Sequence, residues 1–320
     1  MDFKFYAIIF LTIFLLTIPN ANANNTSNII NVEKITIDKN SVSAFNDKGN
    51  PLWIKNFKNG ISASILEDLN NDGTNEIVVG TDFKGDKPGY IYLLYSNGTV
   101  LWEYMTGKGC KEVYSESTIF GVVQIFTNDF DHDNIKEILV NSRNYPKYPT
   151  TLILFDINGT ILQQYWHAGY VNDIEIYDID DDGIEEIIGG GIISAQNYER
   201  YPVIFFLNPF NMSGQSFPYY TKFPKCSEKK YQILTKSIVQ PTGTSVKDLF
   251  IQDNYIVAET EDNRFFYCDS SLECSVLQSD WFNDKINEIT KTEILSIFMP
   301  LFWVVIGFSL NRIYELIKQK

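Results

Sequence analysis

The sequence is poor in the residues that build zinc sites and in the motifs that mark common catalytic sites. It has two histidines and four cysteines in 320 residues, and no two cysteines have CxxC spacing. It contains no Gly-x-Ser-x-Gly, His-Glu-x-x-His or P-loop motif. Basic residues are also few, 26 against 40 acidic ones, for a formal net charge of −14. These features argue against a zinc centre, against common hydrolase and nucleotide sites, and against nucleic acid as a partner.

Long amphipathic helical patterns are also lacking between Asn24 and Asp284. Aromatic residues make up 15% of the chain, and its apolar runs are rich in Ile, Val, Tyr and Phe. These residues favour strands. The sequence therefore predicts one large all-β domain over residues 24–290, which is long enough for a substantial core.

What the sequence does have is an acidic nine-residue pattern that occurs three times. Each copy places oxygen-bearing side chains at positions 1, 3, 5 and 9 and a turn residue at position 6. A calcium ion takes six to eight oxygen ligands, so the pattern predicts up to three structural Ca²⁺ sites. For a single copy, a solvated turn is the alternative. The predicted ligands are Asp68, Asn70, Asp72 and Glu76; Asp129, Asp131, Asp133 and Glu137; and Asp178, Asp180, Asp182 and Glu186.

The EF-hand is the obvious alternative for these loops, and the spacing argues against it. An EF-hand places a bidentate Glu at position 12, where this chain has Val79, Val140 and Gly189. Each copy is followed by a short β-branched run, which is typical of a strand. The pattern therefore predicts a loop that joins two strands.

Apolar hairpins recur alongside the acidic loops. Their turns contain Gly49, Gly98, Gly159 and, in a looser copy, Gly214, roughly 50 to 60 residues apart. One complete unit is predicted to have strands at 61–67, 76–81, 90–95 and 99–104. Such a period favours a β-propeller of about five four-stranded blades.

The two ends of the repeat differ from its middle. Residues 231–280 have strand-like runs but no acidic loop, which predicts a degenerate blade. Residues 31–57 hold only three strands, and a fourth from residues 280–289 would close the ring and cover the sheet edges.

The acidic pattern at this spacing resembles the FG-GAP/VCBS repeats of the integrin α-subunit β-propeller and its prokaryotic relatives, over roughly residues 41–220. The resemblance implies calcium bound between the first and second strands of a blade, with added carbonyl ligands from Thr74, Ile135 and Ile184. The ring is predicted to be smaller than the seven-bladed integrin one, and the Phe-Gly/Gly-Ala-Pro signature is not clearly present. Integrin partners are therefore not implied.

The ends of the chain predict a membrane-anchored surface protein. Residues 1–23 are typical of a signal peptide, with a retained anchor as the alternative. Residues 291–310 include a charge-free apolar run that predicts a transmembrane helix, with a buried core helix as the alternative. Residues 311–320 would form a short cytoplasmic tail, since cationic residues follow the run.

The four cysteines allow three pairings. Cys268 and Cys274 could join the two arms of one hairpin, which leaves Cys110 and Cys226 as the second pair. Disulfides are permitted in a secreted domain.

Long aromatic loops would lie on the propeller face opposite the calcium loops. Their residue types are common on recognition surfaces, although the aromatic side chains could instead pack the loops. The candidates are Arg143, Tyr145, Tyr148, Trp166, His167, Tyr198, Arg200 and Tyr201. We expect a non-enzymatic cell-surface protein that binds an extracellular protein or glycan in adhesion or recognition. A propeller hydrolase or lyase acting on polysaccharide, and a structural subunit of a membrane complex, are the alternatives.

Overall fold

The chain folds as β-strands. A computed structural model describes residues 31–108, 119–145, 149–194, 200–216, 230–233 and 244–276, and every regular element in these residues is a strand. The strands form five sheets of three to five strands, which confirms the predicted all-β class. Within the described residues no helix is long and apolar enough to cross a membrane. The predicted signal peptide, transmembrane helix and cytoplasmic tail lie outside the described residues.

The five sheets follow one another along the chain. Sheet one holds β1 (Lys34–Asp38), β2 (Ser41–Phe45) and β3 (Pro51–Asn56), and sheet two holds β4 (Ile61–Glu67), β5 (Glu76–Thr81), β6 (Tyr90–Leu94) and β7 (Val100–Met105). Sheet three holds β8 (Phe120–Asn128), β9 (Glu137–Asn144), β10 (Thr150–Phe155), β11 (Ile161–His167) and the short β15 (Gly214–Gln215). Sheet four holds β12 (Gly169–Tyr177), β13 (Glu186–Ser194), β14 (Arg200–Leu207) and β16 (Lys230–Ile233), and sheet five holds β17 (Val246–Gln252), β18 (Tyr255–Thr260), β19 (Phe265–Cys268) and β20 (Cys274–Val276).

Sheet two matches the predicted unit closely. Its first two strands have the predicted bounds, and the last two differ by one residue at their ends. Two of these differences arise at the turn, where the Tyr95 amide donates to the Thr99 carbonyl (2.9 Å) and the Gly98 amide donates to the Tyr95 carbonyl (2.8 Å). These bonds assign residues 95–99 to the turn. Gly98 has φ +80°, a conformation that glycine adopts without a Cβ clash.

The first strand of sheets two to five carries a β-bulge at an equivalent position. The register shifts around Ser62, Val123, Asn172 and Lys247, one residue in each of β4, β8, β12 and β17. Sheet five, which has no acidic loop, shares this bulge with the other three. The shared bulge supports the expectation that this region is a degenerate unit of the same repeat.

The core lies between the sheets, and each consecutive pair is packed face to face. Ile77 and Val79 of β5 pack with Val42 of sheet one, while Val78 between them packs with Val140 of sheet three. Strand alternation thus sends apolar side chains to both faces. Similar clusters join sheets three and four and sheets four and five. Strands β5 and β10 are buried along their whole length, and each large apolar side chain buried there contributes about 1.5–3 kcal/mol.

A tryptophan clasp links the first three sheets. The Trp53 Nε1–H of sheet one donates to the Ser96 carbonyl in the β6–β7 turn (2.8 Å), and the Trp102 Nε1–H of sheet two donates to the Ile157 carbonyl in the β10–β11 turn (2.9 Å). Each indole covers the glycine of that turn, Gly159 in the second case. A polar version follows, since Gln163 of β11 bonds to the residues before β15. The last strands of sheets one and two therefore each bond to a hairpin turn of the next sheet, and β11 bonds to the segment that follows β14.

Sheet five contains the disulfide between Cys268 and Cys274, the hairpin pair that the sequence suggests. The two residues face each other across β19 and β20. Cys110 and Cys226 lie outside the described residues, as does the strand expected from residues 280–289.

Candidate metal sites and recognition face

The three acidic loops join equivalent strands, the first and second of sheets two, three and four. In each loop the carboxylate at position 1 folds the backbone around itself by accepting two amide hydrogen bonds, from positions 5 and 6. The donors to Asp68 are Asp72 (3.2 Å) and Gly73 (2.8 Å); to Asp129, Asp133 (3.0 Å) and Asn134 (2.9 Å); and to Asp178, Asp182 (3.0 Å) and Gly183 (2.8 Å). The repeated sequence pattern thus produces a repeated local structure.

Two positions of each loop have positive φ. Positive φ was expected at position 6, where Gly73, Asn134 and Gly183 have φ of 84°, 70° and 85°. Positive φ was not expected at position 4, where Asn71, His132 and Asp181 have φ of 57°, 60° and 56°. Asn, His and Asp are the residue types enriched in this region, but three different residues at one position give no repeated signal.

The glutamate at position 9 anchors each loop to the core. Glu76, Glu137 and Glu186 are buried, and the Oε2 of each accepts a hydrogen bond from the amide at position 2, at 3.1, 3.0 and 3.2 Å. Burial is the main cause that raises the pKa of Glu137 to about 7, although the hydrogen bond from the Phe130 amide opposes the rise. The nearby carboxylates of Asp131, Asp133 and Asp129 also raise this pKa. Burial likewise raises the pKa of Glu76. A bound cation would offset this cost of holding ionised carboxylates together.

Two loops bring three carboxylates to one point. Oxygens of Asp129, Asp131 and Glu137 lie within 4.8 Å of one another, as do oxygens of Asp178, Asp180 and Glu186. Both triads could hold a metal ion, and an all-oxygen set suits a hard cation such as calcium.

The remaining predicted ligands are not members of the two carboxylate triads. Asp133 and Asp182 lie in the same loops but outside the two triads, and their Oδ1 atoms accept bonds from the amides of Ile135 (2.7 Å) and Ile184 (3.0 Å). In the first loop Asn70 replaces a carboxylate, and hydrogen bonds from the Thr74 hydroxyl and amide lower the pKa of Asp72. The carbonyls of Thr74, Ile135 and Ile184 stay predicted ligands.

The three loops lie side by side and contact one another. The Lys136 amide of the second loop donates to the Leu69 carbonyl of the first (2.8 Å), and its ammonium pairs with Glu67. His132 of the second loop lies 3.3 Å from the Gly183 carbonyl of the third. The His132 side chain is 60% exposed, so it lies at the surface but also connects two loops.

Part of the predicted recognition face lies at the opposite ends of these strands. Arg143 is at the end of β9, and Tyr145 follows that strand with 56% of its surface exposed. Tyr201 of β14 is only partly exposed and packs on Ala168 and Val203. Tyr148 and Tyr198 lie outside the described residues, and of Arg200 only the backbone is described, within β14.

Trp166 and His167 require a correction, because both side chains are buried, with 2% and 0% of their surfaces exposed. Trp166 packs edge-on against Phe120, and His167 packs on Phe205, with ring centroids 5.2 Å apart. His167 Nε2 lies 3.1 Å from the Ile192 carbonyl. The error follows from sheets that are buried on both faces, so that a polar aromatic residue near a strand end still lies in the core.

A cleft opens between sheets two and three at this same end. Its volume is about 240 Å³, and it is lined by Ser62, Asp82, Phe83, Gly121, Val122, Val123, Arg143, Asn144 and Tyr145. The Phe83 and Tyr145 rings stack with centroids 4.6 Å apart, and the Arg143 guanidinium lies 5.0 Å from the Tyr170 ring. Sequence reasoning found Arg143 and Tyr145 but missed Asp82 and Phe83. Their position directly after the second strand of a repeat unit was the available signal.

Comparison with known proteins identifies no family. No protein-family model and no curated protein matches the chain. Among solved structures, it is similar to a protein of unknown function from Bacteroides caccae, with 9% sequence identity and a TM-score of 0.39, over 77% of this chain and 73% of that one. A TM-score of this size establishes neither a shared family nor a shared function.

Proposed function

We propose that this protein is a calcium-stabilised β-propeller of the FG-GAP/VCBS type that is anchored at the cell surface and binds an extracellular protein or glycan. The observation that carries the proposal is the triple recurrence of one loop geometry on equivalent strands, with carboxylate triads in two of the loops. Five consecutively packed sheets support a ring of about five blades, in which residues 280–289 complete sheet one. Residues 1–23 and 291–310 supply the signal peptide and the anchor.

Calcium has a structural role in this proposal. The loops at one end are rich in carboxylates that repel one another, and a bound divalent ion removes that repulsion and adds its binding free energy to folding. Catalysis by a metal needs an open coordination position and a nearby base or nucleophile, and no such group is recognisable in the described part of the loops.

The first test is thermal unfolding of the full chain in detergent micelles, with calcium and with EDTA. We expect calcium to raise the melting temperature by several degrees, since a ligand at 100 times its Kd adds about 2.7 kcal/mol. Magnesium at the same concentration is the control, because it prefers octahedral geometry at shorter distances. Identical melting in calcium and EDTA, together with no metal in the purified protein, would contradict the proposal.

The second test concerns recognition. Full-length protein is screened against arrays of glycans and of extracellular proteins, in calcium, beside the Arg143→Ala plus Tyr145→Ala variant, which spares the packed Tyr201 and changes a tyrosine that is 56% exposed. We expect the variant to lose binding while its melting temperature stays unchanged. Turnover of a polysaccharide panel would instead indicate a hydrolase or lyase, and co-purification of other membrane chains through residues 291–310 would indicate a complex subunit.

A further inference from the structure

We propose that the cleft between sheets two and three binds one pyranose ring of a neutral glycan. The inference rests on the proposed function, because it names the ligand class of the same recognition face. Three observations support it: an aromatic wall, a pair of opposite charges and a size that fits one ring.

The aromatic wall is formed by Phe83 and Tyr145. Their rings are stacked at 4.6 Å, and Tyr145 is 56% exposed, so one flat apolar surface is held in place while remaining open to solvent. Phe83 follows β5 of sheet two and Tyr145 follows β9 of sheet three, so the wall spans the border between the two sheets. A pyranose presents a flat face of C–H groups that packs on such a surface, and burying apolar area there is favourable.

The opposite charges are Asp82 and Arg143. An Asp82 carboxylate oxygen lies 2.1 Å from the position that a Cβ on Gly121 would take, and Gly121 is paired with Arg143 across β8 and β9. Both side chains therefore line the same small volume. Among the described residues neither forms an ion pair, and Asp82 accepts a bond only from the neighbouring Phe83 amide (2.8 Å).

This charge pair suits a ligand that offers both donors and acceptors. A carboxylate accepts hydrogen bonds from hydroxyl groups and a guanidinium donates to them, and such charge-assisted bonds are the stronger kind. The pair carries no net charge, and the chain as a whole is at −14, which disfavours an acidic sugar. A neutral polyhydroxyl ring satisfies both groups.

Size and backbone shape restrict the ligand further. At about 240 Å³ the cleft is smaller than the usual pocket for a drug-sized molecule, so it fits a single ring with its chain continuing into solvent. Gly121 leaves the space that Asp82 occupies, since any Cβ there would meet the carboxylate.

The test uses methyl glycosides of glucose, galactose and mannose as probes, measured by saturation-transfer NMR and calorimetry on the full chain in calcium. Methyl glucuronide and free glycine are the comparison arms, because they test for an anionic sugar and for an amino-acid zwitterion. We expect at least one neutral glycoside to bind in preference to both. We expect Tyr145→Ala and Asp82→Asn each to weaken it at least about tenfold, while Tyr145→Phe keeps the ring and retains binding.

The control is Tyr95→Ala, since Tyr95 is an exposed tyrosine (44%) in the β6–β7 turn at the calcium-loop end. It should leave glycoside binding unchanged, and the calcium melting curve of every variant should match that of the wild type. Absence of binding by every neutral glycoside, binding of glycine or glucuronide alone, or equal binding by Tyr145→Ala would overturn the proposal. If array partners still bind, only the sugar assignment fails; if no partner binds at all, the proposed function fails with it.

Discussion

At the scale of single residues, the acidic loops combine an exposed ligand set with a buried anchor. Asp180 is at position 3 of the third loop and belongs to a carboxylate triad, and Glu186 of that triad is completely buried. Removing one charge from the exposed position therefore tests metal binding with little effect on the core.

We expect Asp180→Asn to reduce the rise in melting temperature that calcium produces, because a calcium site depends on its number of charged ligands. In EDTA the variant should melt at or slightly above the wild-type temperature, since one of three converging carboxylates is gone. Asp86→Asn is the control, because Asp86 is exposed in the connection between β5 and β6, at the end of sheet two opposite the acidic loops. Circular dichroism at 218 nm in both buffers serves as the measurement. Equal calcium shifts in all three proteins would rule out this triad as a metal site.

The buried His167 predicts a specific pH dependence. Burial lowers its pKa from 6.5 to about 4, although the Ile192 carbonyl partly opposes the shift. The unfolded chain therefore binds the proton more readily, so stability falls as pH drops from about 6.5 towards 4 and is unaffected above that window. Relative to His167→Gln, which does not titrate, the wild type should lose about 2 kcal/mol between pH 7.5 and pH 5.

Urea unfolding of the two proteins at several pH values measures this difference. The carboxylates and other titratable groups titrate in both proteins, so their effects on stability cancel in the comparison. A constant difference across the pH range would mean that His167 is not buried as a neutral ring.

At the scale of strands and turns, the sequence predicted the repeat better than the contacts between its units. The loop and hairpin patterns recur in the printed chain, so the bounds of β4 and β5 were predictable. The repeated bulge was not predictable, because four unrelated side chains occupy it and only the backbone register repeats. These residues are Ser62, Val123, Asn172 and Lys247. The candidate metal ligands were predictable for the same reason that the loops were, whereas the cleft needed two units placed side by side.

The tryptophan clasp gives a test at this scale. Gly159 has φ +83°, and a Cβ there would lie 2.7 Å from the Trp102 ring, whereas Gly85 has φ +62° with nothing within 4 Å of that position. Gly159→Ala and Gly85→Ala both place alanine in the left-handed region, at a cost of about 1–2 kcal/mol. Only Gly159→Ala also displaces the Trp102 indole, so we expect it to lower the free energy of unfolding more than Gly85→Ala does.

Replacing the indole separates the two contributions. Trp102→Phe loses the bond to the Ile157 carbonyl, which is worth about 1 kcal/mol. In a Trp102→Ala background the extra cost of Gly159→Ala over Gly85→Ala should vanish, and a double-mutant cycle from denaturant unfolding measures this coupling. Additive costs would show that the ring does not restrain the turn.

At the scale of the whole molecule, each sheet is stabilised by its neighbours along the chain. Sheets two, three and four pack on both faces, while the described residues show sheets one and five packed on one face each. The proposed ring closure would give these two the missing contact through residues 280–289. A strand supplied in this way also covers an otherwise unpaired edge.

Hydrogen exchange tests the closure directly. In full-length protein with calcium, amides of β1–β3 should be protected about as well as those of β9 and β10, because local opening would need the ring to break. A chain that ends after residue 276 should lose protection in sheet one more than in sheet three. Equal protection in both chains would contradict a closing strand from the C-terminal region.

The clasp also bears on how such a chain changes over evolutionary time. Trp53 and Trp102 use the same atom to hold the same point of the following turn, so each is suited to a partner from any equivalent unit. Loss of one whole segment, from one bulged strand to the next, would present Trp53 with the turn at Gly159 in place of the one at Gly98. In-frame duplication or deletion of a unit therefore preserves the joint at its border, and relatives of different length are the expected product.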